Sequence, residues 1–384
     1  GSEMCIRDRR KIMKKKSFYI LALAALAVSC TNDELTTNET NAVVGFHALT
    51  SGVTTRAVNE TNSVNLKDSP FDVYAFTETD GKLFIGKSLS KSDYELSQGV
   101  EIRHNGSAWD YANPADQAYW PTTDKLNFFA FHPQPNPSDG YSVEVSSASK
   151  QVVRYSVPTN AKFQKDLMYA ISRGVDKNTN AGKVKILFKH ALSQACFKAK
   201  TEMESMRVDV EDIQIHNIAV DGDLTLPQTG TDISMKDWNT QEKKHIAFEP
   251  KNLETPVMEI GTEAKELTGK MYLPQELTKW TPENPETKTI DQANKEKQSY
   301  LSVLCKIKQN GVYLWGSEEK ALRLFVPFGV KWEPGKRYVY TLIFGGGYKD
   351  DGTPVLDKLK WEVEEMPWQD APYNVNADTN VNVN

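Results

Sequence analysis

The chain has 384 residues, with 46 Lys and Arg against 51 Asp and Glu and a formal net charge of -5. That balance offers no basic field to recruit nucleic acid, so no nucleic-acid partner is expected. Of the four cysteines, Cys5 and Cys30 belong to the N-terminal segments, and the two that remain, Cys196 and Cys305, cannot form a disulfide framework, although export would permit one bond.

Gly1 to Lys11 resembles translated adapter sequence, and Met13 is the better start, so residues 1–12 are set aside as a non-native leader. Residues 13–29 then read as a lipoprotein signal. Lys14 to Lys16 form a basic head, Phe18 to Val28 an apolar middle, and Leu26-Ala27-Val28-Ser29 precedes Cys30. The head stays on the cytoplasmic side while small side chains open the backbone to a peptidase. The apolar run is too short to cross a bilayer as a helix. Cys30 would carry the lipid, palmitate among its acyl chains, and several chains anchor a protein durably. Ala27 stands where such signals most often have leucine. Residues 30–41, rich in Thr, Asn, Asp and Glu, cannot bury a core and read as a tether.

From Asn41 the pattern changes. Val44, Phe46 and Ala48 alternate with Val43, Gly45 and His47, predicting a first strand that ends near Thr50. Arg56 and Ala57 follow in a loop of small and polar residues, where a trypsin-like protease has access. Phe71 to Phe76 and Lys82 to Ile85 predict a hairpin, and Leu126 to His132 a strand stopped by Pro133. Val152 to Val157 and Asp166 to Ala170 predict two more. A polar stretch from Gly174 to Gly182 is the candidate domain boundary, giving domains at 42–182 and 183–372. Beyond it, strands are expected at Val184 to Phe188, His190 to Lys200, Ile213 to Val220, Met271 to Gln275, Tyr300 to Ile307, Leu322 to Pro327, Tyr338 to Phe344 and Leu359 to Val363. Many short strands with turn signals and no long helical period give an all-β class, two β-sandwiches in tandem. Cys196 and Cys305 fall within strand-like runs and read as buried free thiols.

Chemistry-bearing motifs are few. Gly81-Lys82-Leu83-Phe84-Ile85-Gly86-Lys87-Ser88 fits the phosphate-loop spacing, but its centre favours extended backbone and no apolar helical stripe follows. Leu226-Pro227-Gln228-Thr229-Gly230 fits a sortase signal but lacks the apolar segment and basic tail that such a signal needs, so a turn is expected. The six histidines are dispersed, and no metal spacing or nucleophile elbow occurs. No catalytic residue, metal or cofactor is expected.

In order along the chain, the lipobox at Cys30, Thr55-Arg56-Ala57, Tyr119-Trp120-Pro121, Phe128-Phe129-Ala130-Phe131-His132-Pro133, Asp166-Leu167-Met168-Tyr169-Ala170, Phe188-Lys189-His190-Ala191-Leu192-Ser193, Leu273-Pro274-Gln275 and Trp332-Glu333-Pro334-Gly335-Lys336-Arg337-Tyr338 resemble the fimbrillin-like pilins of Bacteroidales, subunits of type V pili. The resemblance implies two transthyretin-like β-sandwiches and an exported outer-membrane lipoprotein displayed at the cell surface. It implies cleavage after Arg56 by a trypsin-like protease, with Ala57 as the new terminus and Asn41 to Thr50 released. A strand from another pilin subunit would then fill the groove, with adhesion to a host or bacterial surface receptor as the outcome. The tail at 373–384 is the candidate donor, since Tyr373, Val375, Ala377, Val381 and Val383 recur with strand spacing. The alternative is a surface lipoprotein that binds glycans for polysaccharide uptake, with Trp109, Tyr111, Tyr119 and Trp120 as the stacking aromatics.

Overall fold

The computed structural model describes residues 42–51, 61, 65–87, 99–248, 257–345, 347–356 and 360–368. Its elements are overwhelmingly strands. The first half supplies β1 (Gly45–Thr50), β2 (Phe71–Thr77), β3 (Leu83–Ile85), β4 (Val100–His104), β5 (Trp109–Tyr111), β6 (Leu126–His132), β7 (Tyr141–Ser147), β8 (Lys150–Ser156), β9 (Met168–Val175) and β10 (Lys183–His190). Then come β11 (Ser193–Thr201), β12 (Met206–Ala219), β13 (Asp221–Thr225), β14 (Trp238–Thr240), β15 (Lys243–Phe248), β16 (Met258–Ile260), β17 (Lys265–Tyr272) and β18 (Gln275–Glu276). A short helix, α1 (Ile290–Lys295), precedes β19 (Tyr300–Gln309), β20 (Val312–Trp315), β21 (Leu322–Pro327), β22 (Lys331–Trp332), β23 (Lys336–Phe344), β24 (Gly347–Tyr348), β25 (Pro354–Leu356) and β26 (Lys360–Pro367).

The first sheet closes on itself. Its strands follow the order β2, β4, β5, β1, β10, β9, β6, and β6 returns to pair with β2, while β3 hangs on β2 as a hairpin. Closure removes the exposed edges that an open sheet would present. The barrel is filled by Val44, Phe46, Phe71, Val73, Phe128 and Phe188 with their neighbours.

A polar connection, not a linker, occupies residues 176–182. Asn180, Ala181 and Gly182 adopt left-handed φ values of 48°, 54° and 79°, which turn the chain so that β10 runs back antiparallel to β9. The strand expected to open the second sandwich, Val184 to Phe188, therefore completes the first barrel instead. The sheet does not continue from His190 to Lys200 either: the chain leaves it at Ala191-Leu192, and β11 joins a different one.

The second half packs the sheet β17-β11-β23-β26 against a larger sheet built on β15-β12-β19-β21-β24-β25. Phe197 of β11 meets Phe248 of β15 with ring centroids 4.7 Å apart, and Tyr340 of β23 at 5.2 Å. Between the halves lies a four-stranded sheet, β14-β13-β8-β7, that draws two strands from each. Tyr74, Phe129, Tyr141, Tyr155, Phe197 and Leu301 belong to one continuous apolar cluster.

Burial on two sides explains the composition of β2, β6 and β9. One face of each fills the barrel while the other meets β7 and β8, so they read as nearly unbroken apolar runs. In β10 buried and more exposed residues alternate, as a strand with one wetted face should. Cys196 and Cys305 are both buried and are not joined in a disulfide, as expected.

Candidate functional site

The sequence pointed to the first strand, and the fold gives it an unusual seat. β1 lies parallel to β10 with six residues in register, from Gly45 opposite Lys183 to Thr50 opposite Phe188. On its other edge it meets β5 through a single pair, Phe46 with Trp109. The approach to β10 is close: a Cβ on Gly45 would lie 3.2 Å from Lys183 Cγ. The start of the strand is bracketed by the Ala118-Tyr119-Trp120 segment. Val44 N–H donates to the Ala118 carbonyl at 3.0 Å, and Trp120 N–H donates to the Ala42 carbonyl at 2.9 Å. Beside β1, where the ladder to β5 fails, a cavity of about 390 Å³ opens between Ala48, Leu49, Leu66, His104 and Trp109.

Alternation sends Val44, Phe46 and Ala48 inward, all buried, while His47 faces solvent. Phe46 packs edge-on to Tyr111 and Phe128, with centroids 5.5 and 6.4 Å away. Burying these three side chains is worth on the order of 5 kcal/mol. The Tyr111 hydroxyl donates to the Val44 carbonyl at 3.0 Å, and burial pushes that phenol up to about 12, so it remains a donor. Trp120 Nε1–H donates to the Gly182 carbonyl at 3.1 Å, tying the bracket to the turn before β10.

The end of β1 is pinned as well. Ser51 gives both its N–H (2.9 Å) and its hydroxyl (3.0 Å) to the Phe188 carbonyl. Downstream, Thr61 N–H donates to buried Asp166 Oδ2 at 2.8 Å, and Asp166 Oδ1 lies 3.0 Å from His190 Nδ1. His190 stacks on Trp368, centroids 4.1 Å apart and planes 5° from parallel. Residues 51 and 61 are thus held at neighbouring positions near the end of β10, on either side of Arg56.

Cys30, Arg56 and Ala57 lie outside the described residues, as do Tyr373, Val375, Ala377, Val381 and Val383. The aromatics offered as a sugar platform are mostly spent on the barrel. Trp120 and Tyr111 are buried, and Trp109 packs on Phe71 at 5.1 Å, leaving only Tyr119 well exposed. The phosphate-loop match is a hairpin strand through Leu83–Ile85. The sortase match is a turn whose Pro227 and Gly230 carbonyls accept from Arg173 at 2.7 and 3.2 Å. Among the described residues no group of three or more His, Cys, Asp or Glu is placed to hold a metal. What sequence reasoning missed is the role of Asp166, which it read only as the start of a strand and of one piece of the family resemblance.

The model of the family described as Fimbrillin-like matches residues 55–364. A crystal structure of a fimbrial protein from Bacteroides vulgatus superposes with a TM-score of 0.57 at 13% identity, covering 86% of this chain and all (100%) of that one. A putative cell adhesion protein from Bacteroides uniformis has a TM-score of 0.42 at 15% identity, covering 85% of this chain and 99% of that one. The tip fimbrial protein from Porphyromonas gingivalis, with C-terminal truncation, gives 0.39 at 10% identity, covering 84% and 99%. A search of curated proteins found no significant match. By a family match spanning most of its length, the chain belongs to the fimbrillin-like family, whose members are structural proteins of cell-surface fimbriae rather than enzymes.

Proposed function

We propose that this chain is a pilus subunit that is exported as a lipoprotein on Cys30, held at the outer membrane, and activated by cleavage after Arg56. A trypsin-like protease makes the cut, and β1 leaves with the segment upstream of Ala57. The vacated seat is refilled by the tail of another subunit, residues 373–384, through Tyr373, Val375, Ala377, Val381 and Val383. The polymer then serves adhesion to a surface receptor.

The observation that carries this reading is the asymmetric seating of β1. It is one strand of a closed barrel, contributes a row of core side chains, and is held along one edge with little pairing on the other. Its removal would leave the edge of β10 unpaired and an apolar groove open, a costly state that an incoming strand repairs. An incoming strand gains affinity from backbone bonds and selectivity from alternate side chains.

The test uses the soluble chain, residues 31–384, treated with a trypsin-like protease. A discrete new terminus at Ala57 followed by a ladder of oligomers is expected, with Arg56→Ala remaining a full-length monomer. Oligomers formed by that uncut variant would sink strand release, and oligomers that survive deletion of residues 373–384 would remove the tail as donor.

A further inference from the structure

The barrel wall has a gap beside β1. Val44 N–H and the Ala42 carbonyl turn toward the 118–120 segment, whereas Ser51 N–H turns toward β10. Backbone groups alternate sides residue by residue along a strand, so Ala48 sends its N–H and C=O the same way as Val44, away from β10. The antiparallel register that sets Phe46 opposite Trp109 would bring Ser107 opposite Ala48. Ser107 is engaged elsewhere. Its N–H and that of Ala108 both donate to Asn105 Oδ1 at 3.0 Å, which curls the tip of the β4–β5 hairpin on itself. Two backbone groups of a residue only 7% exposed are left facing the cavity of about 390 Å³, with no partner among the described residues. Groups in that position are costly to leave unmet.

The cavity is basic. Lys67, Lys183, His47 and His104 line it, and its described lining holds no Asp or Glu. Lysines elsewhere are met by carboxylates: Lys82 by Asp80, Lys189 by Asp232, Lys244 by Asp221 and Lys336 by Glu365, at 2.5 to 2.7 Å. Lys67 and Lys183 form no ion pair with a described residue. The His104 ring is set to donate. Gly106 N–H donates to its Nδ1 at 3.2 Å, which places the ring proton on Nε2.

The gap thus gathers two ammonium groups, an imidazole N–H and a backbone N–H around one space. Donors of these kinds make their strongest hydrogen bonds to an ionised oxygen acceptor. We propose that the gap binds a phosphate monoester, its oxygens met by Lys67, Lys183, His104 Nε2–H and Ala48 N–H. The volume lies within the range usual for small-molecule sites, and Leu66 and Trp109 offer an apolar floor to the group that carries the phosphate.

Occupancy has a consequence for β1. The strand forms one wall of the cavity and the hairpin tip another, so a ligand there bridges β1 to the rest of the barrel and must be given up when β1 opens. Ligand at ten times its Kd should lower the population of the opened strand about tenfold. In the scheme of strand release the ligand would hold the uncut chain closed, and that last step alone rests on the release reading.

The experiment titrates the uncut chain, residues 31–384, with inorganic phosphate and glucose 1-phosphate by calorimetry at constant ionic strength, with glucose as the neutral control. Vesicles of phosphatidylcholine with and without phosphatidic acid tell a lipid headgroup from a soluble ester. Binding of at least one phosphate-bearing probe at about millimolar affinity or tighter is expected, weakened about fivefold or more when Lys67→Gln and Lys183→Gln are combined. Both lysines are exposed, so the double variant should melt as the parent does, and Arg103→Gln, exposed and outside the lining, should bind as the parent does. Hydrogen exchange of the amides of residues 45–50 should slow about tenfold at ten times the Kd of the tightest probe. Failure of every phosphate probe to bind, equal binding of glucose, or an affinity indifferent to the double substitution would overturn the site. Binding that leaves the exchange of β1 unchanged would overturn the clamp. None of these measurements needs the cut, so a chain that resists cleavage at Arg56 would count against strand release and not against this site.

Discussion

Asp72 shows how much a single side chain can carry in a barrel of this kind. It sits in β2 opposite Glu101 of β4 and Phe131 of β6, fully buried, with one oxygen accepting from Gln134 Nε2 at 3.1 Å. Burial raises its pKa from the ordinary 3.8 to about 7, against the opposing pull of Gln134 and the Lys87 charge, with Glu101 pushing the same way as burial. Between those values the folded chain keeps a proton that the unfolded chain has lost, so stability falls as pH rises from about 4 to about 7. The loss has a ceiling of about 4 kcal/mol. Urea melts at about pH 5 and about pH 8 should show it, and Asp72→Asn should flatten the difference; an unchanged slope in that variant would assign it elsewhere. Phe46 offers a second check: Phe46→Ala should cost about 3–5 kcal/mol in the uncut chain, read in the same melts. Little of this was legible beforehand. Trp120 passed for a sugar-stacking residue because its partner, the Gly182 carbonyl, is 62 residues away in sequence. Asp166 likewise gains its meaning from Thr61, 105 residues distant.

Strands whose pattern matched their surroundings were the readable elements. β1, β10 and β12 alternate because one face is wetted, and β2, β6 and β9 stand out as apolar or aromatic runs. Short pieces such as β5, β14 and β16, three residues each, hold too few side chains to show any period and exist because a partner strand lies beside them. The polar stretch before β10 misled for a related reason: a tight left-handed turn and a linker draw on the same residues. β1 yields the prediction at this scale. Added in excess to the cleaved chain, a synthetic peptide of residues 42–51 should reoccupy the seat beside β10 and suppress oligomers, while the same peptide with Phe46→Asp should not. Size-exclusion chromatography distinguishes the two, and equal suppression by both peptides would argue against a side-chain-specific groove.

For the molecule as a whole, the all-β class followed from strand spacing, but the join between the halves did not. β13 pairs with β8 across some 70 residues of chain, from Asp221 opposite Ser156 to Thr225 opposite Val152, and no local pattern encodes such a pairing. The shared sheet and the continuous apolar cluster predict that the halves do not unfold separately. Calorimetry on residues 31–384 should give one transition with equal calorimetric and van't Hoff enthalpies, and two resolved transitions would contradict it. The parallel ladder between β1 and β10 has a mechanical side. A strand held along its length by a neighbour and pulled along its own axis is loaded in shear, so its rungs must fail together rather than peel one by one. Were another subunit's strand to lie in that seat, a filament stretched along that axis would set its strength by the number of residues in register. Tension and assembly would then be governed by the same six positions of one sheet edge.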